Sequence, residues 1–234
     1  MKALLYKEFK LAMHPICYVF ICIFPLMILI PSYPIAIGFI YILSCYPIIF
    51  LGANKGQQSN DLLYSTLLPV RKKDIVLARI LTISIIQFVF IAIMSCLYPV
   101  AVLINQNIPL TEEQIAQGLT STIPGIPLEG YVSILAIAIL GYAIADIIFF
   151  PIYYKNGKSI VMSTLFTIFG FIFYLAIFTI ILPYIPVIGE AYKGFLCGEL
   201  WIQFVLLAGA LLIYVGIHFL VYKISSERLE KVDF

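Results

Sequence analysis

The sequence predicts an all-α polytopic membrane protein with six transmembrane helices, both termini cytoplasmic, an amino-terminal interfacial helix and a further helix in the loop between spans two and three. Three observations predict it: the composition, the length of the apolar runs and the placement of the basic residues. Hydrophobic residues make up 63% and charged residues 11% of the 234-residue chain, against about 45–50% and about 25% in soluble domains. A globule of this size has too little interior to hide that excess, so much of it faces lipid. The mean hydropathy of +1.08 agrees. A soluble enzyme, a nucleic-acid binder and a disordered protein are excluded on these grounds, so no nucleic-acid partner is expected.

The elements follow in chain order as one transmembrane domain, 1–234. Residues 1–14 carry Leu4, Leu5, Phe9 and Ala12 among Lys7, Glu8 and Lys10. They read as an amphipathic helix lying on the inner face, which is also placed to touch a cytoplasmic partner. No cleavable signal is expected, because these charges precede the first apolar run and no small-residue cleavage site follows it. A helix crossing about 30 Å of hydrocarbon needs about 20 residues at about 1.5 Å each. Residues 15–52 hold the first two spans, 15–30 and 33–51, joined so tightly through Pro31, Ser32 and Pro34 that they form an antiparallel hairpin. A cytoplasmic loop, 53–74, follows, and then the third span, 75–104, long enough to tilt or to extend beyond the bilayer. The outer loop 105–130 contains a short helix over 111–119, capped by Thr111 with Glu112 and Glu113 after it. The fourth span, 131–151, ends at Pro151, with a cytoplasmic loop at 152–159. The fifth, 160–182, the outer loop 183–199, the sixth, 200–222, and the tail 223–234 complete the chain. These runs lack the alternation of barrel strands.

Orientation comes from lysine and arginine placement. Of the 14 basic residues, all but Lys193 fall on the side of the termini and of the loops 53–74 and 152–159, with Arg79 one turn inside the third span. The opposite side holds Glu112, Glu113, Glu129, Glu190 and Glu199. That places the basic side in the cytoplasm.

Within the 53–74 loop, Ser59, Asn60 and Asp61 are N-cap residues, Leu62, Leu63, Tyr64, Leu67 and Leu68 tolerate a helix, and Pro69 ends it. Such a helix, parallel to the membrane, is either a docking surface for a cytoplasmic partner or an interfacial helix resting on lipid. Arg71, Lys72 and Lys73 then sit at headgroup level, and Asp74 is placed to cap the third span. Asp146 is the ionisable residue set well inside an apolar span, about 7.5 Å from Pro151 along the helix. It reads as paired with a basic residue such as Arg79 or Lys158, or as a polar element of a transport path. Gln87 in the third span reads as interhelical glue more readily than as a substrate ligand.

Gly157-Lys158-Ser159 is not a phosphate-binding loop: the glycine needed five residues earlier is Ile152, and a membrane helix precedes it. The chain is therefore expected to hold no ATP site, no cofactor and no catalytic centre. His14 and His218 lie on the first and last spans without clustered carboxylates, so no metal motif is expected either. The five cysteines, Cys17, Cys22, Cys45, Cys96 and Cys197, lack CxxC spacing and read as small apolar wall residues. Pro25, Pro47 and Pro99 are expected to kink their spans, and Gly141, Gly170, Gly209 and Gly216 to allow close packing.

This organisation resembles the type-2 permease family of ABC exporters. Met1-Lys2-Ala3-Leu4-Leu5-Tyr6-Lys7-Glu8-Phe9 looks like the family's interfacial helix. The run Leu67-Leu68-Pro69-Val70-Arg71-Lys72-Lys73-Asp74-Ile75-Val76, followed by Arg79, is similar to its cytoplasmic segment, with Arg71 where Ser or Thr is usual. Residues Pro151 to Lys158 are similar to its proline–aromatic–glycine segment. The resemblance implies a membrane subunit of an ATP-driven exporter in the bacterial cytoplasmic membrane, with ATP and Mg held by a separate ATPase. It also implies that residues 59–68 form the coupling helix, braced by the amino-terminal helix, with Lys7, Glu8, Arg71, Lys72 and Lys73 at the cytoplasmic interface. Two copies of the chain, as a homodimer or heterodimer, would sit over two ATPase copies and pass a peptide or other amphipathic cargo. An ATP-independent secondary transporter or channel, and a membrane-bound immunity or assembly module, remain as alternatives.

Overall fold

The structure, a computed structural model, describes residues 2–12, 15–30, 65, 69–108, 111–116, 128–156, 160–182, 185 and 188–231. The predicted second span, 33–51, and the predicted coupling residues Asn60, Asp61, Leu62, Leu63, Tyr64, Leu67 and Leu68 lie outside the described residues. Among the described residues every regular element is helical. Helix α1, Lys2–Lys7, continues as a π turn, Glu8–Ala12. Helix α2, Pro15–Ile23, tightens to a 3-10 segment, Phe24–Leu29, where Pro25 enters. Then follow α3 (Lys72–Asn107), α4 (Glu112–Ala116), α5 (Tyr131–Asn156), α6 (Ile160–Ala176) with a π continuation over Ile177–Ile181, α7 (Ile188–Leu196) and α8 (Leu200–Glu230). Helices α3, α5 and α8 are long and apolar enough to cross a membrane; the apolar helices 16–29 and 160–176 are shorter.

The burial pattern assigns each helix its place. Helix α5 is apolar all round and buried along most of its length, as a central helix must be. Helices α6 and α8 pack on either side of it, and α3 packs on α8 and on the 3-10 segment. In α8 the buried residues Gln203, Ala210, Tyr214, Val221 and Ser225 recur at alternating steps of seven and four, a narrow seam. The rest of its surface is apolar and exposed, with Leu212 at 76% and Phe219 at 69%. In α6 the buried stripe is Ile160, Ser163, Thr167, Phe171 and Tyr174, and Phe169 and Phe173 point outward. Large apolar side chains exposed in such continuity need lipid or a partner against them.

Gly141 and Gly170 permit the close approach of α5 and α6. A Cβ at Gly141 would lie 2.6 Å from the Phe171 ring, and one at Gly170 would lie 2.5 Å from Ile148 Cδ1. The expectation of close packing does not extend to Gly209 and Gly216, where a Cβ would meet nothing within 4 Å. These two sit on α8 away from its buried seam.

Three helices have ends that differ from the predicted ones. Helix α3 begins at Lys72 and ends at Asn107, with Pro99 accommodated inside it. Its N-cap is Arg71, without a side-chain cap bond, and Asp74 sits in the first turn, where its charge complements the helix dipole. Helix α5 runs through Pro151 to Asn156. A proline forfeits one N–H bond without obliging the chain to leave the helix, and here the Pro151 carbonyl accepts a hydrogen bond from Arg228 Nη1 at 2.5 Å. Helix α8 continues past residue 222 to Glu230 because Lys, Glu and Arg are good helix formers even where the apolar run has stopped.

Candidate functional site: two buried polar layers and a groove

The first polar layer joins the amino terminus to the basic end of the bundle. Leu4 and Glu8 are one helical turn apart and both are buried, so α1 and its π turn press one face onto α3. Glu8 Oε2 lies 3.4 Å from Arg79 Nε, and both side chains are almost wholly buried. Arg79 Nη1 donates to the Tyr153 hydroxyl on α5 at 2.8 Å. Lys7 Nζ reaches Glu8 Oε1 at 3.5 Å and also hydrogen-bonds the buried Ser65 hydroxyl. Arg79 thus links three segments. A guanidinium suits that position because its donors leave in fixed, divergent directions. Beside this layer, Lys72 Nζ donates to the Leu229 carbonyl at 3.5 Å, and Lys73 pairs with Glu230 at 3.4 Å, half exposed. Arg71 is exposed. Glu8, predicted at the cytoplasmic interface, is an internal ion-pair partner instead.

The second layer lies about 11 Å further along the helices, since Asp146 precedes Tyr153 by seven residues and Gln87 follows Arg79 by eight. Here α3, α5 and α8 meet. Gln87 Nε2 donates to Asp146 Oδ2 at 3.0 Å, and the Tyr214 hydroxyl donates to Gln87 Oε1 at 2.5 Å. His218 Nε2 stands 3.0 Å from the same Asp146 oxygen. His218 Nδ1 lies 2.9 Å from the Tyr214 carbonyl.

This arrangement corrects two expectations. Asp146 is not paired with Arg79, which belongs to the other layer. It is fully buried, and because the helix runs on through Pro151 it lies about 15 Å from the end at Asn156, not about 7.5 Å from an end at Pro151. His218, expected to lie away from any carboxylate, is an ionisable neighbour of Asp146. Gln87 is interhelical glue in the plain sense, bonded to one helix through its amide nitrogen and to another through its oxygen.

Between α3 and α8, next to this layer, lies a groove of about 350 Å³. Its walls are Leu77, Ile80 and Leu81 from α3 and Val215, Phe219 and Tyr222 from α8. Tyr214 and His218 form its polar floor, beside Ser84. It opens where Val215 and Phe219 are exposed. No charged side chain lines it among the described residues.

The far end of the bundle is closed by α7. Ser133 Oγ donates to the Leu196 carbonyl at 2.7 Å and the Tyr192 hydroxyl to the Phe178 carbonyl at 3.0 Å. Burial pushes the Tyr192 phenol above its ordinary value. Trp201 Nε1 donates to Glu199 at 2.6 Å with its ring exposed, an arrangement common where helices enter the headgroup region.

No group of three or more potential metal ligands occurs among the described residues. No protein-family model, curated protein or solved structure matches the chain.

Proposed function

We propose that the chain is the membrane-spanning subunit of an ATP-driven exporter of the type-2 ABC kind. It would cross the bacterial cytoplasmic membrane six times with both termini inside, form a pair with a second permease chain, and engage two copies of a separate ATPase. The observation that carries the reading is the first polar layer. It gives a mechanical route from residues 53–74, through Ser65 and Lys7, to Glu8, Arg79 and Tyr153, and so to α3 and α5.

In this reading ATP binding draws the ATPases together and displaces the coupling segment. The amino-terminal helix, locked to that segment and to α3, carries the displacement into the membrane helices as a rigid-element shift. The cargo is amphipathic, with a peptide favoured, because the spans offer large apolar faces and few charges. The test is to replace Leu63 and Tyr64 by Asp. Association with the ATPase is expected to be lost while the chain remains monodisperse in detergent; intact transport by this variant would contradict the assignment.

The second layer supports one other reading, an ATP-independent transporter in which Asp146 and His218 do the coupling. Asp146→Asn separates the two. Modest loss of transport favours the ATPase-coupled reading, and complete loss favours the other.

A further inference from the structure

We propose that the groove between α3 and α8 holds one acyl chain of an anionic phospholipid from the leaflet on the basic side, with Lys73 and Lys223 receiving its phosphate. The register of the two helices carries this. On α3 the groove residues Leu77, Leu81 and Ser84 follow Lys73 at steps of four, four and three; on α8 Val215 and Phe219 precede Lys223 at steps of four. Residues so spaced share one helix face, so each lysine stands one turn beyond the apolar wall, at the same end of the groove. Both are exposed. The depth also fits one leaflet. Ser84 lies about 16 Å from Lys73 along α3, and Tyr214 about 14 Å from Lys223 along α8. Half of a hydrocarbon core of about 30 Å is about 15 Å, so the groove runs from headgroup level to the middle of the bilayer.

The lining suits hydrocarbon. The floor residues are polar, but their polar atoms are engaged: the Tyr214 hydroxyl donates to Gln87, Ser84 hydrogen-bonds Tyr214, and the His218 nitrogens face the Tyr214 carbonyl and Asp146. What remains toward the groove is almost entirely carbon. Val215 and Phe219 are exposed at its mouth, so a chain can enter sideways from the lipid. Charge complementarity selects the headgroup. Residues 71–74 and 223–231 hold six basic and three acidic side chains. Lys73 Nζ stands 3.4 Å from Glu230 Oε1, both about half exposed, and a surface pair of this kind holds too weakly to keep the ammonium from a phosphate. Lysine stems lie along apolar surface and carry their charge to headgroup level. A zwitterionic lipid brings its own ammonium group and gains less from the basic excess than a net-negative one does. The site requires α3 and α8 to cross a bilayer and requires no ATPase, so it stands or falls separately from the exporter reading.

The experiment uses the full chain in a neutral detergent, with native mass spectrometry counting the lipids bound per chain. The probes are phosphatidylglycerol and phosphatidylcholine with identical acyl chains. The first phosphatidylglycerol is expected to bind about tenfold more tightly than the first phosphatidylcholine. Lys73→Gln combined with Lys223→Gln should reduce that preference to about threefold or less. Lys10→Gln combined with Lys155→Gln removes two exposed charges from the same side of the bundle, away from the groove, and should leave the preference unchanged. Leu81→Trp fills the groove and should weaken both lipids by about tenfold. Val215→Trp, at the exposed mouth, makes the same test should Leu81→Trp not fold. Equal binding of the two lipids, or equal loss in both lysine pairs, would overturn the proposal. So would unchanged binding in the groove-filling variants, the result expected if another segment or a second copy of the chain already covers the groove.

Discussion

Replacing Arg79 by Ala is expected to destabilise the chain by about 3 kcal/mol or more, and a double-mutant cycle with Glu8→Ala isolates the reason. Arg79 and Glu8 approach at 3.4 Å with side-chain exposures of 0% and 2%, so solvent screens neither charge. Removing one partner of a buried pair costs about 3–5 kcal/mol, mostly because the other charge is left buried and unpaired. Loss of Arg79 belongs at the low end, since Lys7 still stands 3.5 Å from Glu8. Loss of Glu8 leaves Arg79 with the Tyr153 hydroxyl, a neutral partner, among its contacts. For a chain of this size each kcal/mol corresponds to about 2–4 °C of melting temperature, so each single variant is expected to melt about 6–20 °C lower. The double variant buries neither charge. It should therefore fall short of the summed losses by about 0.5–3 kcal/mol, the range for residues in direct contact. Thermal unfolding in one detergent, followed by size-exclusion chromatography after heating, measures all four proteins. Strict additivity, or a melting point within 2 °C of the parent in Arg79→Ala, would refute the buried-pair argument.

Other consequences follow from the packing and the second layer. Gly141→Val should cost about 1–3 kcal/mol, because its Cβ would stand 2.6 Å from the Phe171 ring and α5 and α6 would have to separate. Gly216→Ala, with nothing within 4 Å, should be neutral or stabilise by about 0.4–1 kcal/mol; thermal unfolding of both variants checks the contrast. Tyr214→Phe removes the 2.5 Å hydrogen bond to Gln87 Oε1 and should cost about 1–3 kcal/mol in the same assay, whereas Ile85→Leu, at an exposed position on α3, should be nearly silent. In the reconstituted complex a hydrophobic peptide should raise ATP hydrolysis and a wholly polar solute should not, as read by phosphate release.

Three of the predicted spans, α3, α5 and α8, were legible in the sequence for a simple reason: an apolar run of the length a bilayer demands announces itself without any knowledge of neighbours. Their ends were less so, because α5 and α8 continue past Pro151 and Tyr222 on helix propensity and on bonds made to each other, such as Arg228 to the Pro151 carbonyl. Pairing between helices depends on rotation and register, which a single chain does not display. Asp146 and His218 are 72 residues apart, and nothing local to either residue points to the other. A weaker signal did exist. Ile75, Arg79, Ile83 and Gln87 recur every fourth residue, so Arg79 and Gln87 share the buried stripe of α3; likewise Glu8 follows Leu4, and His218 follows Tyr214, by one turn. Polar residues in phase with an apolar stripe are candidates for internal bonds, and reading Glu8 as a surface charge passed over that phase.

The central claim is that this chain works with a separate ATPase, and the most direct measurement is affinity purification of the tagged chain in mild detergent followed by mass spectrometry. The account predicts an ATPase subunit recovered in equal amount with the chain. Recovery of the chain alone, from a host that encodes the ATPase, would contradict it.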